Sequence, residues 1–233
     1  MKVKTKTFVG FLKKAKMEKQ QQIDECILSF ESSGLKIDAN SPSQQSRVMA
    51  LLKKEAFKEY EELGNVGMND LDNVVKVLDR FGEFITLKKE GNLLTISGDN
   101  KKVDIELISE EFINTDTGEP KLEFENTFSI PMVKLKDIIK DVEMNKDAIM
   151  IVETGDKKVS FSNTGKYKFR TEHEALSCTP GVKVKFGSPL IEAVANMDSP
   201  VEISVKSDHP AKIIEKTETS VVTVIVAPRV DDD

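Results

Sequence analysis

The strongest constraint on this chain is a repeat. From Asp70 it reads DLDNVVKVLDRFGEFITLKKEGNLLTISGD. Leu71, Val74, Val75 and Leu78 recur at i, i+3, i+4 and i+7, one face of an amphipathic helix. After Gly82 come two short runs of β-branched and apolar residues around Glu90-Gly91-Asn92, a hairpin pattern. The same order returns from Met132, with a helical stripe of Leu135, Ile138, Ile139 and Val142 and a hairpin turning at Thr154-Gly155-Asp156. It appears earlier as FVGFLKKAKMEK followed by CILSFESSGLKIDA. It appears last as SPLIEAVANM followed by PVEISVKSDHPAKIIE, where Leu190, Ala193, Val194 and Met197 form the stripe.

Four helix–strand–turn–strand units therefore begin near residues 7, 70, 132 and 188, about 60 residues apart, with extra strands between them. This spacing is too long for an ordinary solenoid and only four units deep. It predicts an α+β protein of two similar domains, each with two helices packed on antiparallel β-sheets. The acidic, polar stretch EEFINTDTGEPKLEFEN, with Gly118 and Pro120, reads as the seam. The expected boundaries are 1–111 for domain one, 112–125 for the connecting loop and 126–233 for domain two. A generic two-domain protein whose helices merely cover sheets is the plainer alternative.

The outward helix faces narrow the function. Lys76 and Arg80 lie away from the second stripe, and Lys136 and Lys140 lie away from the third. On the first helix Phe8, Phe11, Leu12 and Ala15 face in, Lys13 points out and Lys14 lies on the flank. The fourth helix breaks the pattern, presenting Glu192, Ala195 and Asn196. Three basic faces stand out in a chain of formal charge -6. Such a stripe suits sequence-independent contact with phosphates. With no Trp and two Tyr, a stacking platform for single strands is not expected.

Other classes are argued against. With 39% hydrophobic and 32% charged residues the chain is globular and not disordered. No apolar run approaches the roughly 18 residues of a membrane span. MKVKTKTF lacks the apolar core of a secretion signal, so no targeting signal is expected. Cys26 and Cys178 are far apart and read as buried thiols in a reducing compartment. No nucleophile elbow, P-loop, GxGxxG or HExxH is present, and His173 and His209 stand without clustered ligands. Neither catalysis, nor a cofactor, nor a metal site is expected.

Four stretches carry a resemblance: FLKKA at Phe11–Ala15, SSGLKIDA at Ser32–Ala39, DKKVSFSNTG at Asp156–Gly165 and the terminal VAPRVDDD. Together and in order they resemble the DNA sliding clamps of the proliferating-cell-nuclear-antigen (PCNA) type, found in archaea, eukaryotes and some of their viruses. The resemblance covers nearly the whole chain. It implies the DNA clamp fold and a subunit of a closed ring, usually a homotrimer. Helices line the hole, duplex DNA passes through without sequence preference, and the ring serves as a polymerase processivity factor. It also implies a clamp loader ATPase and tethered replication and repair enzymes as partners, with no membrane. The expected location is the cytoplasm of an archaeal cell, or the nucleic-acid compartment of a host if the protein is viral.

Residue by residue, the resemblance carries over Lys13, Lys14, Lys76 and Lys140 as DNA-facing; helical geometry adds Arg80 and Lys136. Ring closure is expected to pair an edge strand at Val103–Ile108 with one at Lys166–Arg170 of the next subunit. Val103, Ile105 and Leu107 would then meet Tyr167 and Phe169, acidic strand against basic strand. The C-terminal strand and the connecting loop are expected to form a pocket for partner peptides, with Pro210, Ile225, Ala227, Pro228 and Arg229 on one side. The other side is unusually polar, with Asn40, Gln44, Gln45 and Arg47 and, from the loop, Thr117 and Glu119. Either Phe112, Ile113 or Leu122 supplies an apolar wall, or the pocket takes different partners. The acidic Asp231–Asp233 would meet basic flanks of partner motifs, or serve solubility equally well. Two other readings stay open: a hetero-oligomeric or checkpoint-type clamp subunit, and a clamp-fold scaffold that no longer encircles DNA.

Overall fold

The computed structural model describes residues 1–113, 121–146 and 148–229. These hold four α-helices and seventeen strands, and their order exposes the repeat. The first unit is β1 (Lys2–Lys4), α1 (Thr5–Lys16), β2 (Cys26–Glu31), β3 (Gly34–Asn40) and β4 (Ser46–Lys53). A short β5 (Phe57–Glu59) intervenes. The second unit is β6 (Gly64–Met68), α2 (Leu71–Leu78), β7 (Phe84–Glu90), β8 (Leu93–Gly98) and β9 (Lys101–Glu106). The third is β10 (Asn126–Ile130), α3 (Met132–Glu143), β11 (Met150–Gly155), β12 (Lys158–Asn163) and β13 (Arg170–Glu174). The fourth is β14 (Lys183–Phe186), α4 (Ser188–Val194), β15 (Val201–Val205), β16 (Ala211–Lys216) and β17 (Ser220–Val226). Each unit is thus strand, helix, then three antiparallel strands. The leading strand is the part the helix–hairpin pattern did not announce.

Three sheets result, ordered β5-β1-β7-β8-β9, β10-β15-β16-β17-β4-β3-β2-β6 and β13-β12-β11-β14. The central sheet joins the two halves of the chain. Its joint is β4 against β17, in antiparallel register from Ser220↔Leu52 to Val226↔Ser46. Both strands alternate strictly, so Val48, Ala50 and Leu52 enter the core beside Val222, Val224 and Val226. Burying each such Val or Leu contributes about 1.5–3 kcal/mol.

The helices bury the expected stripes. Phe8, Phe11, Leu12 and Ala15 are buried on α1, Leu71, Val74, Val75 and Leu78 on α2, and Leu135, Ile138, Ile139 and Val142 on α3. Asp70 caps α2, its carboxylate accepting from the Asn73 N–H at 3.4 Å. Pro189 opens α4, where its missing N–H costs no helical bond. At Gly67 the chain after β9 crosses β6: Ile108 N–H donates to Gly67 O at 3.1 Å, and an added Cβ would meet Ile108 O at 2.2 Å. Only glycine allows that approach.

Several expectations change. The segment 166–169 is not strand; the edge strand starts at Arg170. Asn145 and Asn163 take the place of a ladder there. Tyr167 N–H donates to Asn145 Oδ1 at 3.0 Å, Tyr167 O accepts from Asn145 Nδ2 and Asn163 Nδ2 at 2.8 Å, and Phe169 N–H donates to Asn163 Oδ1 at 3.0 Å. The other edge strand covers Lys101–Glu106, slightly earlier than expected. Glu192 is buried, not presented: α4 turns it inward, where its carboxylate accepts the Gln21 N–H at 3.2 Å. No helix among the described residues is long and apolar enough to cross a membrane. Cys26 and Cys178 are buried free thiols, and burial pushes Cys26 up to about 12.

Candidate nucleic-acid interface and partner pocket

Contacts between helices place them in a row. α2 packs on α1. Asn196, just past α4, donates to Lys13 O at 3.0 Å and to Glu18 Oε1 at 2.9 Å. Asp198, two residues further, meets Lys136 of α3 at 3.4 Å. The order along the row is therefore α2, α1, α4, α3. α1 and α4 also pack on β4 and β17, so the row crosses the seam of the central sheet.

The cations of this row are positioned as helical geometry predicted, with one exception. Lys76, Arg80 and Lys140 are exposed and Lys13 and Lys136 half-exposed. Lys14 is drawn inward. Its Nζ lies 2.7 Å from Glu215 Oε2, and the Glu215 side chain is fully buried on β16. Glu215 Oε1 also accepts the N–H groups of Asp198 and Ser199, both at 2.7 Å. Lys16 is buried as well, 3.0 Å from Asp72. Helical position alone put Lys14 on the flank; only the spatial neighbour on β16 decides where its charge goes.

The row is not a bare positive surface. Lys13 Nζ lies 2.7 Å from Asp79, Lys76 lies 2.5 Å from Asp72, and Lys140 lies 3.0 Å from Asp137. Lys76 and then Lys16 hold the Asp72 carboxyl below its ordinary value, and Asp72 in turn raises Lys76. Arg80 makes no ion pair with the described residues; its carbonyl accepts from Lys101 at 2.7 Å.

The two ends of the row each carry an open strand edge. β9 pairs only with β8, and β13 only with β12, among the described residues. Beside β9 runs a groove against α2, lined by Val77, Val103, Ile105 and Leu107. Beside β13, Tyr167 is 52% exposed, and Val133 and Met144 of the α3 region are exposed too. Phe169 is partly buried against the core. The expected charge contrast between the edges does not hold along the strands. Lys166 and Lys168 precede β13, and Arg170 is paired with Glu153 at 3.0 Å. His173, on β13, is held below the usual imidazole value first by burial and then by Lys134; its Nε2 is buried without a partner among the described residues.

The partner-pocket residues partly converge. Gln45 O accepts the Ala227 N–H at 2.8 Å, and Gln45, Ala227, Pro228 and Arg229 line one hollow with Gln20, Ser188 and Pro189. Arg229 N–H donates to Lys185 O at 2.8 Å. Pro210 precedes Ala211, which pairs with Val226, and so sits at the same corner. Ile225 lies opposite Arg47 in the β17–β4 ladder. Arg47 binds Asp38 through two bonds, Nε at 2.8 Å and Nη2 at 2.7 Å. A forked ion pair thus stands at Arg47, on the polar side of the expected pocket. A second hollow is lined by Ile23, Asp24, Asn40, Pro42, Gln44 and Ile113. Ile113 lines this second hollow and not the first, while Phe112 is 79% exposed. Gln20 and Ser188 escaped sequence reasoning because only the tertiary fold brings them to the C-terminal strand. Thr117, Glu119 and Asp231–Asp233 lie outside the described residues.

No family model matches the chain. It is 32% identical over 133 residues to the DNA polymerase sliding clamp of Methanothermobacter thermautotrophicus, a stretch covering 54% of each. It is 30% identical over 135 residues to the DNA polymerase sliding clamp of Methanobrevibacter smithii, covering 55% of this chain and 54% of that one. The match spans about half the length of these curated relatives. In structure the chain superposes on A. fulgidus PCNA bound to the C-terminal region of FEN-1, with TM-score 0.85, 16% identity, and coverage of 100% and 98%. It superposes on the PCNA2–PCNA3 complex of Sulfolobus tokodaii with TM-score 0.80, 22% identity and 99% of each chain covered. For the PCNA of Entamoeba histolytica the values are 0.81, 19% and 98% of each. The chain has the fold of the PCNA-type DNA sliding clamps along its whole length and resembles them in sequence over about half of it.

Proposed function

We propose that this chain is a subunit of a ring-shaped sliding clamp, a processivity factor that encircles duplex DNA and tethers polymerases and other enzymes to it. One observation carries the reading: a row of helices bearing Lys13, Lys76, Arg80, Lys136 and Lys140 runs between two open strand edges, β9 and β13. Adding β9 to β13 of the next copy is a head-to-tail contact, which closes into a ring when the angle permits. Val103, Ile105 and Leu107 would then face Tyr167 and Phe169. Closure would also cover two edges that otherwise invite aggregation. Loose phosphate contacts suit sliding, because topology holds the ring in place.

The domain limits at 111 and 126 belong to the same reading, as does partner docking along Gln45, Arg47, Pro210, Ile225, Ala227, Pro228 and Arg229. In it the protein needs no catalytic group or cofactor; relatives named DNA polymerase sliding clamps support a polymerase as partner, and a loader ATPase and an archaeal cytoplasmic location belong to the same reading. The Sulfolobus tokodaii complex is built of two different clamp chains, which favours a hetero-oligomeric ring as the second reading.

The test is the solution mass by light scattering behind a sizing column, followed by loading onto nicked circular DNA. A mass three times 26.0 kDa and retention lost on linearisation are expected. A monomer at high concentration would remove the self-sufficient ring and leave the hetero-oligomer.

A further inference from the structure

We propose that the carboxylates of Asp79, Asp137 and Asp198 are masks: each occupies a lysine head on the helix row and keeps the grip on DNA weak. This rests on the sliding-clamp reading and concerns how its inner surface is tuned.

The observation is the regularity of the pairing. Lys13 meets Asp79 at 2.7 Å, Lys140 meets Asp137 at 3.0 Å and Lys136 meets Asp198 at 3.4 Å. The partners come from three different places: the end of a neighbouring helix, the same helix one turn earlier, and a loop. No single local propensity produces all three.

Asp79 is the most telling. It occupies the C-cap of α2, where the helix dipole disfavours an anion. Its side chain is 48% exposed and bonds nothing but Lys13 among the described residues. Asp198 is 75% exposed at its side chain, with only Lys136 beside its carboxylate among the described residues. Neither carboxylate holds the fold together, and exposed pairs of this kind contribute little stability. Their electrostatic effect on a third party is larger. A paired lysine presents a dipole, not a charge, and a phosphate must displace the aspartate before the ammonium can meet it. Asp72 masks Lys76 in the same way but also anchors the buried Lys16, so it is left intact in the test.

The experiment compares the full-length chain with Asp79→Asn/Asp137→Asn/Asp198→Asn on a short linear duplex over a salt series. The dissociation constant is expected to fall tenfold or more. The slope of log K against log salt is expected to steepen by up to about 3, from three freed contacts at about 0.9 each. A second triple, Glu90→Gln/Asp208→Asn/Glu218→Gln, changes net charge equally at exposed hairpin turns away from the helix row. It is expected to bind like the parent. Unchanged affinity in the first triple overturns the proposal, as does an equal gain in both. Asp79→Asn alone should give about one third of the change in slope, which keeps the test decisive if the triple folds poorly. Loading of the unaltered protein onto nicked circular DNA is read alongside. Failure there sinks the clamp, whereas loading without the salt effect sinks only the masks.

Discussion

Lys14 of α1 and Glu215 of β16 form an ion pair at 2.7 Å across the seam of the chain, with the glutamate fully buried. Glu215 is also the acceptor for two backbone N–H groups in the loop after α4. Removing one member leaves the other charge buried and unpaired, which costs about 3–5 kcal/mol. Glu215→Ala is expected to lose about that much in chemical denaturation, and Lys14→Gln somewhat less, because Glu215 then still accepts two backbone N–H groups. Equal stability of Glu215→Ala and the parent would contradict the pairing.

The same pair separates two roles that look alike in sequence. Lys76→Glu, Arg80→Glu and Lys140→Glu should lower retention on circular DNA several-fold while leaving the unfolding midpoint within about 0.5 kcal/mol of the parent. Lys14→Gln should do the reverse. Measuring denaturation and DNA retention on one set of variants checks both.

Assembly is expected to depend on the edges. Ile105→Asp places an unpaired carboxylate on the β9 ledge, and Tyr167→Asp does so beside β13. Each should reduce the light-scattering mass to 26.0 kDa without unfolding the subunit. A ring that persists in both variants would place the contact elsewhere.

His173 gives a pH dependence with a definite sign. Its folded-state value is depressed, by burial and then by Lys134, so the folded chain prefers the neutral ring. That contribution is fully present above about 6.5 and is lost as pH falls through the folded-state value. The ring packs edge-on to Phe161 at 5.7 Å, and its Nε2 has no partner to lose. His173→Phe should therefore flatten stability just below pH 6.5. The carboxylate of Asp72, depressed by Lys76 and Lys16, adds its own loss only in the lower range below about 4.

The pocket makes a prediction about partners. Arg47 and Asp38 place a forked ion pair beside Ile225. Replacing both, as Asp38→Leu/Arg47→Leu, removes the charges together and leaves no unpaired partner between them. Affinity for an aromatic-anchored clamp-binding peptide is expected to rise tenfold or more in calorimetry. No gain would mean that this ion pair does not govern choice of partner.

Much of this was legible in the sequence because period is local. Stripes such as Leu71/Val74/Val75/Leu78 fix a helix and its buried face, and Glu90-Gly91-Asn92 fixes a hairpin, from a dozen residues each. The leading strand of each unit was hidden, since β1 has three residues and β14 four. Lys166–Arg170 alternates like a strand, yet Asn145, in the turn after α3, captures its backbone. Lys14 shows the same limit: a helical wheel gives direction around an axis, and its partner lies 201 residues away.

The ladder between β4 and β17 has a mechanical meaning. Because hydrogen bonds run from Ser46 to Leu52 through this joint, the two halves are tied by a ladder and not by a tether alone; in a proposed ring each subunit would then behave as one stiff arc. Bending stress in a ring of such arcs would gather at β9 and β13, where two short edge strands would pair side by side. Opening for DNA entry would then be a fracture between arcs and never a flexing within one.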